Sequence, residues 1–490
     1  MILDLNKLKK KNNIQTDICI IGGGTVGLYL AHELKKKKVI VIERGKDLNE
    51  QLYKSNYKFN KLNKALKGPG YLKKKIVLGG QSTIWGGQMI SLQKSDIEKR
   101  EYINSKGWNI KYKDISKYFR LVDKNLKIKF LEKKFIKEFK KKSLDKNFNL
   151  RFSVFLRKKI INFYNFYKVD LESNDIKVFT NAKVNKLIDS KNQKFIEKII
   201  AKSANSNTLE IKAKQIIICC GAIESTKLLL ENYWRENITK KKYLLGKFLS
   251  EQFSCICAKF KIKDYNKFIL NFSPLYKYKL VHKPRFEITS RLQKKVKSPS
   301  AYFHIQPSDK NKRKNLIDEI KNILRFYFYR IYKRKLWFRS SIEMFLLLNI
   351  EEIGNFKNQI KLILKKNKKN LGLFINYKIN KRIFKIISQL NTHFNEYWKQ
   401  QGYEKIADVK FFKLKKIKDL QETYHPSGTI RIGTNKNNSC CNKNLRYWER
   451  DNLFICSTAI FPTTGSANTG YTLLALASRL AKHLIKKNNF

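Results

Sequence analysis

The run "DICIIGGGTVGLYLAHELKKKKVIVIE", residues 17–43, leaves few folds open. A short apolar stretch at 17–21 stops at "GGGTVG", a segment with helical spacing follows, and "VIVIE" at 39–43 is a second apolar stretch. Strand, glycine turn, helix and strand make a βαβ unit, and Gly22, Gly24 and Gly27 fill a G-x-G-x-x-G pattern. One glycine permits the tight turn, one lets the backbone approach a pyrophosphate, and one lets helix and strand pack closely. The helix N-terminus would stabilise the diphosphate charge. Glu43 ends the second strand about 20 residues after the first glycine, where an acid can accept from ribose hydroxyls.

Later segments support the same architecture. Residues 176–188 read as strands, and 210–230 as strand, turn and helix, with the apolar run 216–220 closing at Gly221. "LGGQSTIWGGQM" at 78–89 is an uncharged, glycine-rich ribbon in a lysine-rich chain. Residues 251–417 hold no nucleotide signature. They mix alternating runs with a helical stretch near 380–401, as a sheet-based domain would. The C-terminal block brings "YHPSGTIRIG" from Tyr424, a strand at 453–456, a loop, and a helix from about 470. A strand, loop and helix so far from the first βαβ unit imply a discontinuous nucleotide domain. There is no internal repeat and no low-complexity linker, and the chain has only seven prolines.

At 490 residues there is room for two or three domains, and 42% hydrophobic with 13% aromatic residues belong to a globular chain. No stretch nears eighteen apolar residues, and "MILDLNKLKKKNNIQTD" has neither the apolar segment nor the cleavage site of a signal peptide. These features lead to the expectation of a soluble, cytoplasmic protein. The eight cysteines contain no C-x-x-C pair and several sit in apolar runs, so reduced thiols and no metal are expected. The net charge of +66 would ordinarily point to nucleic acid or an anionic membrane. Yet the lysines are scattered alongside abundant Asn and Ile, and no nucleic-acid motif accompanies them. The expectation is no nucleic acid, and at most peripheral contact with anionic membrane. The best local candidate for such contact is "LRFYFYRIYKRKLWFR" at 324–339. It is read here as a helix or lid with its apolar side chains inward and its basic ones solvated.

The pieces together resemble the glucose-methanol-choline (GMC) family of FAD-dependent oxidoreductases. The resemblance runs from "GGGTVG" and "VIERG" through "GGQSTIWGG", "GWNIKYKDISKYF" (107–119), "AKQIIICCGAIESTKLLL" and "LGKFLSEQ" (245–252). It ends in "HPSGTIRIG" and "STAIFPTTGSANTGYTLLALASRLAKHL". The C-terminal wording is closest to the bacterial sugar- and polyol-oxidising branch and to pyranose-oxidase-like members. The implied fold is α/β (α+β overall). A Rossmann-like FAD-binding domain is assembled from 1–125, 170–250 and 418–490, and a sheet-based substrate domain from 126–169 and 251–417. The resemblance implies FAD contacts at Gly22, Gly24, Gly27, Glu43, Arg44, Gly79, Gly80, Ser82, Thr83, Trp85, Gly86, Gly87, Val184, Gly221, Ser457 and Thr469. The ribbon would run along the flavin, its glycines letting backbone approach the cofactor, with Ser82 or Thr83 donating to it.

Oxidising an alcohol removes a hydroxyl proton and a carbon-bound hydride. A histidine is a natural base near neutral pH. His425 in "YHPSGT" matches the family's catalytic histidine, and Asn468 in "SANTGYT" falls where the family has His or Asn. Asn468 would hold the substrate oxygen. The alternative for His425 is a loop histidine with a structural hydrogen bond. His32, His282, His304, His393 and His483 have no motif around them, and His32 and His483 read as helix-surface residues.

Departures from the family pattern also matter. Asp-His is common where Glu251-Gln252 stands, which puts a secondary contact there in doubt. Asp or Gly is common where Ser457 stands. Ile84 occupies the position where some members carry a histidine bonded to the flavin, so non-covalent FAD is expected. The expected partners are an alcohol, sugar or polyol substrate and an electron acceptor left open among oxygen, a quinone and a protein. The rival readings are a lyase on the same fold and a basic protein held on a membrane or polyanion.

Overall fold

The computed structural model describes every residue except 47–52, 55–57, 60–72, 129–144, 174, 239–243, 309–315, 365–370 and 488–490. Two large sheets organise the described residues. The first has eight strands, ordered Ile2–Asp4, Ile176–Thr180, Val39–Ile42, Lys11–Ile21, Thr208–Ile218, Ile196–Lys202 and Lys183–Asp189, with Leu453–Ile455 also on Thr208–Ile218. Its centre is parallel. Only the hairpin edge 183–218 is antiparallel. Helices Thr25–Glu33 and Thr469–Lys487 bury their apolar residues against this sheet, so its central strands are apolar on both faces, as parallel strands are. The βαβ unit, the strands at 176–188 and the strand–helix at 208–238 form as expected.

The second sheet has nine strands and is antiparallel. Its order is Ala407–Phe411, Gln252–Ile262, Met344–Glu351, Ala301–Pro307, Leu280–Ile288, Phe148–Phe155 and Gln88–Met89, with Leu275–Lys277 and Gln421–Glu422 at its sides. Helix Arg382–Gln400 backs one face. Its Phe394 and Tyr397 rings meet Phe148 and Phe286, and Phe394 also meets Phe303. Because side chains alternate along a strand, the neighbours of those phenylalanines, Arg285, Glu287 and Tyr302 among them, face the other way. That second face is polar yet buried. From it Arg285 reaches the carbonyl of Ser466, in the loop before helix Thr469–Lys487.

Two sequence readings need correction. Of the stretch 324–339 only the first part is helical, as the end of helix Leu316–Ile331, and the described apolar side chains of that helix point mostly outward. Ile320, Ile323, Leu324, Tyr327, Phe328, Ile331 and the following Tyr332 are 48–73% exposed. The inner side is held by polar contacts instead: Tyr329 Oη donates to Asn266 at 3.2 Å and Arg330 donates to Tyr276 Oη at 2.7 Å. His32 and His483 are not free surface residues either. His32 Nδ1 lies 2.7 Å from Asp170 with its ring on Tyr167, and His483 packs edge-on to Phe454. Helix–helix packing and the strand beneath claim their apolar ring faces.

Candidate active site

The carboxyl ends of the parallel strands meet at one place. Lys11–Ile21 runs into Gly22, Val39–Ile42 into Glu43, Thr208–Ile218 into Cys219–Gly221, and Leu453–Ile455 into Ser457. Such a converging edge is where open α/β sheets bind ligands. Gly22 has φ +105°, and a Cβ there would sit 3.0 Å from the Cys219 carbonyl. A Cβ on Gly27 would lie 1.9 Å from the Gly22 oxygen. Helix and turn therefore touch through glycine alone. In front of them the space is open. An added Cβ at Gly24 would meet only the Gly80 Cα at 3.9 Å, and at Gly221 nothing within 4 Å. Gly24 caps helix Thr25–Glu33 with no side-chain hydrogen bond, so the first N–H groups of the helix face that space unclaimed by a cap. A cradle of glycine backbone at an uncapped helix N-terminus fits the diphosphate of a dinucleotide such as FAD.

The ribbon lies against this turn. Gly79 N donates to Gly23 O at 2.8 Å, and a Cβ on Gly80 would come within 2.9 Å of Gly24 Cα. Gly86 and Gly87 carry the ribbon on into Gln88–Met89, at the edge of the second sheet. Ser82 Oγ donates to Gly79 O at 2.7 Å, and Thr83 Oγ1 to Gly80 O at 2.8 Å. Both hydroxyl protons thus close the ribbon on itself, in place of the donation to a cofactor expected of one of them. Trp85 Nε1 donates to Ile161 O at 2.8 Å, and its ring sits where a Cβ on Gly470 would be 3.0 Å away. The ribbon is thereby pinned to the start of the helix that Thr469 opens. Ile84 is half exposed beside it.

Glu43 is buried, with Oε2 accepting from Gly23 N and Oε1 from Gly45 N, both at 2.8 Å. Burial raises its pKa, and the two backbone N–H groups and Arg44 oppose the rise. Each oxygen keeps one acceptor site for a further donor. Val184 is brought beside it, because Ala182 N donates to Glu43 O and Asn181 N to Gly45 O. Ser457 Oγ is buried with no hydrogen-bond partner among the described residues.

His425 stands after the strand Gln421–Glu422, where that strand pairs with Gln252–Ile262. Its backbone N donates to Glu251 Oε1 at 2.6 Å. Its Nδ1 lies 3.0 Å from Gln252 Oε1 and 2.9 Å from Thr423 Oγ1. The tautomer follows from the partners. Gln252 Nε2 donates to the carbonyls of Gly465 and Ala467 at 2.7 and 2.9 Å, which turns Oε1 toward the histidine. Thr423 Oγ1 donates to Gln252 O at 3.1 Å, so its lone pairs face Nδ1. Nδ1 therefore carries the proton and Nε2 the free lone pair. Burial pushes the imidazole down to about 4, which keeps it neutral at pH 7. The carbonyls that Gln252 grips flank Ser466 and lead into Asn468, whose Oδ1 is buried and has no partner among the described residues. One amide side chain thus ties the loop of His425 to the loop of Asn468. The pair Glu251-Gln252, doubtful as a contact by sequence, holds the histidine in place. The signal was there, since the departure fell on two polar residues in a family block.

Residues 357–477 match a family model described as GMC oxidoreductase. No curated protein sequence matches the chain. Among solved structures it resembles the pyridoxine 4-oxidase from Mesorbium loti, at 14% identity and TM-score 0.59, over 96% of this chain and 99% of that one. It also resembles a formate oxidase, at 12% identity and TM-score 0.60, over 98% and 99% of the two chains. A variant of the formate oxidase of Aspergillus oryzae RIB40, solved in work on FAD modification, gives the same values. At these identities the structural likeness carries the fold.

Proposed function

We propose that the chain, which matches the GMC oxidoreductase family model over residues 357–477 and shares the fold of solved oxidases, is an FAD-dependent oxidoreductase that oxidises a CH–OH group, of a sugar, polyol or related alcohol, to a carbonyl. What supports this reading is that Gln252 ties the loop of His425, whose imidazole is neutral, to the loop of Asn468, whose buried Oδ1 has no partner among the described residues. His425 takes the hydroxyl proton on Nε2, while Gln252 and Thr423 stabilise the imidazolium from Nδ1. Asn468 holds the substrate oxygen by a hydrogen bond as negative charge gathers on it. Bound FAD would supply the acceptor for the hydride that leaves the same carbon, so one proton and one hydride account for the two hydrogens lost. The residues fitted to hold FAD are the Gly22–Gly27 turn for the diphosphate and Glu43 for the ribose. Gly221, Ser457, Val184 and the ribbon 79–87 line the rest of its path. Isoleucine at 84 offers only carbon to the flavin edge, so attachment there is non-covalent.

Anaerobic mixing of the purified yellow protein with a panel of alcohols tests the reading. Bleaching of the flavin band by at least one alcohol is expected, followed by recovery on adding oxygen or a quinone. A flavin that no alcohol bleaches would favour a lyase in which His425 works alone.

A further inference from the structure

The polar face of the antiparallel sheet holds more positive charge than its own carboxylate can neutralise. Alternation along Leu280–Ile288 puts Lys283, Arg285 and Glu287 on the face opposite Phe286. Register then extends that face, pairing Glu287 with Tyr302 and Tyr302 with Asn349. Arg285 is 1% exposed, its guanidinium 3.2 Å from the centre of the Tyr302 ring. It donates from Nη2 to the carbonyl of Ser466, in the loop that carries Asn468, so this charge adjoins the site. Its Nη1 has no hydrogen-bond partner among the described residues. Glu287 lies 2.9 Å from Arg285 Nε but is shared with Arg151, also at 2.9 Å, and with Gln93. Among the described residues Lys283 reaches only Gln306 Oε1, at 3.5 Å. Burial and Arg285 lower it to about 8, which leaves it mostly charged at pH 7. The nearest other acids are engaged. Glu351 pairs with Arg100 at 2.8 Å and accepts from the backbone of Thr464 and Gly465. Asp96 accepts from Ser300 and from Gln93 N. One carboxylate therefore serves two arginines, Lys283 has no carboxylate beside it among the described residues, and one N–H of the buried guanidinium has no acceptor among them. A buried cation is costly unless paired.

We propose that the alcohol oxidised in this site carries an anionic group, a carboxylate or a phosphate ester, bound by Arg285 and Lys283. This rests on the oxidoreductase reading above and narrows its substrate. The test compares anaerobic flavin reduction by glycerol, glycerate and glycerol 3-phosphate, and by sorbitol, gluconate and sorbitol 6-phosphate. In at least one set an anion should reach half-maximal rate at a concentration tenfold or more below that of its neutral parent. Arg285→Gln should cut that preference about 10- to 100-fold, the range of one charge-assisted hydrogen bond. Lys283→Met should cut it in the same direction and covers the case in which the arginine variant fails to fold. Bleaching by neutral alcohols as readily as by the anions would overturn the anionic group while leaving the oxidoreductase reading intact. Preference unchanged in both variants would also overturn it. Bleaching by no alcohol would sink both readings.

The outward stripe on helix Leu316–Ile331 carries a second inference of its own. Exposed positions 320, 323, 324, 327, 328 and 331 follow i, i+3, i+4 spacing, so they form one apolar band along the helix. Lys321, Arg325, Lys333 and Arg334 are exposed around it. The acid Glu319 is paired with Arg339. We infer that this band lies in the interface of an anionic lipid bilayer, with the cations among the headgroups. A second copy of the chain would bring the same cations and another net +66 to the contact, whereas anionic headgroups complement them. The FAD-loaded protein should sediment with phosphatidylglycerol-containing vesicles but not with pure phosphatidylcholine vesicles, and salt should release it. Leu324→Glu combined with Phe328→Glu should abolish sedimentation and leave flavin reduction in solution unchanged. Equal sedimentation of the variant, or none of the native protein, would overturn the inference. So would a native dimer that the same variant dissolves without any vesicle binding.

Discussion

The two walls of the site are built on opposite principles. The wall at the carboxyl edge of the parallel sheet works through backbone: Gly22, Gly27 and Gly80 sit where any side chain would strike main-chain atoms. The wall on the antiparallel sheet works through side chains, with Gln252, Arg285, Tyr302 and Asn349 projecting from strands whose backbones are already paired. A backbone wall tolerates almost no change at its glycines and says little about substrate. A side-chain wall can be altered residue by residue, and it is where specificity is set.

That contrast can be broken by substitution. On the backbone side, Gly27→Ala puts a Cβ 1.9 Å from the Gly22 oxygen, and the turn must shift. The variant should purify with little or no FAD, judged by the ratio of flavin to protein absorbance. Full occupancy would show that the turn is not what binds the diphosphate.

On the side-chain wall the expected effects fall on rate and leave FAD in place. His425→Ala should keep the cofactor and lower flavin reduction about 10² to 10⁴-fold. An unchanged rate would return His425 to a structural role. The pH profile carries a related prediction. The base must be unprotonated, and burial holds His425 near 4. The rate should therefore stay level from pH 8 down to about 5.5 and be lost as pH falls through about 4, measured by stopped-flow reduction. An inflection near 6.5 would mean that the imidazole is solvated when substrate binds.

Gln252 sharpens the comparison further, because it holds both His425 and the loop that carries Asn468. Gln252→Glu keeps an acceptor at Nδ1 but adds a negative charge, so the inflection should move upward from about 4. It also removes the donor to the Gly465 and Ala467 carbonyls, which should lower the maximal rate by roughly tenfold, the cost of one displaced hydrogen bond. A lower rate with an unmoved inflection would assign Gln252 to packing. The smallest effect is expected back on the first wall. Glu43→Gln replaces one acceptor of a backbone N–H with an amide donor, and FAD retention on dialysis should weaken about tenfold with the chemistry of the holoenzyme unaltered.

Much of the first wall was legible because its rules are local. A glycine turn between two apolar strands needs no partner from elsewhere to be recognised, and Glu43 and Gly221 were found the same way, whereas the role of the ribbon came from the family resemblance. His425 and Asn468 were legible through motif wording. Gln252 was not, because its role depends on two loops more than 170 residues away in sequence meeting at one amide. The charges of the second wall left a faint trace in "VHKPRFEI", where polar and apolar residues alternate. That alternation is shared with any strand that faces solvent, and only the opposing sheet makes its polar face an interior.

The two amphipathic helices show where local reading ends. Arg382–Gln400 and Leu316–Ile331 both repeat apolar residues at helical spacing, and the sequence alone determined that each would be a helix with one apolar face. The sequence likewise determined the nucleotide turn, since a Cβ collision depends on atoms a few residues apart. Which apolar face is covered was decided by tertiary structure. Phe394 and Trp398 find the aromatic side of a nine-stranded sheet, whereas Leu324 and Phe328 stay exposed with no sheet over them among the described residues, because polar contacts from Arg330 and Glu319 hold that helix by its other side. Periodicity records that a helix has two sides; burial depends on what the rest of the chain places beside them.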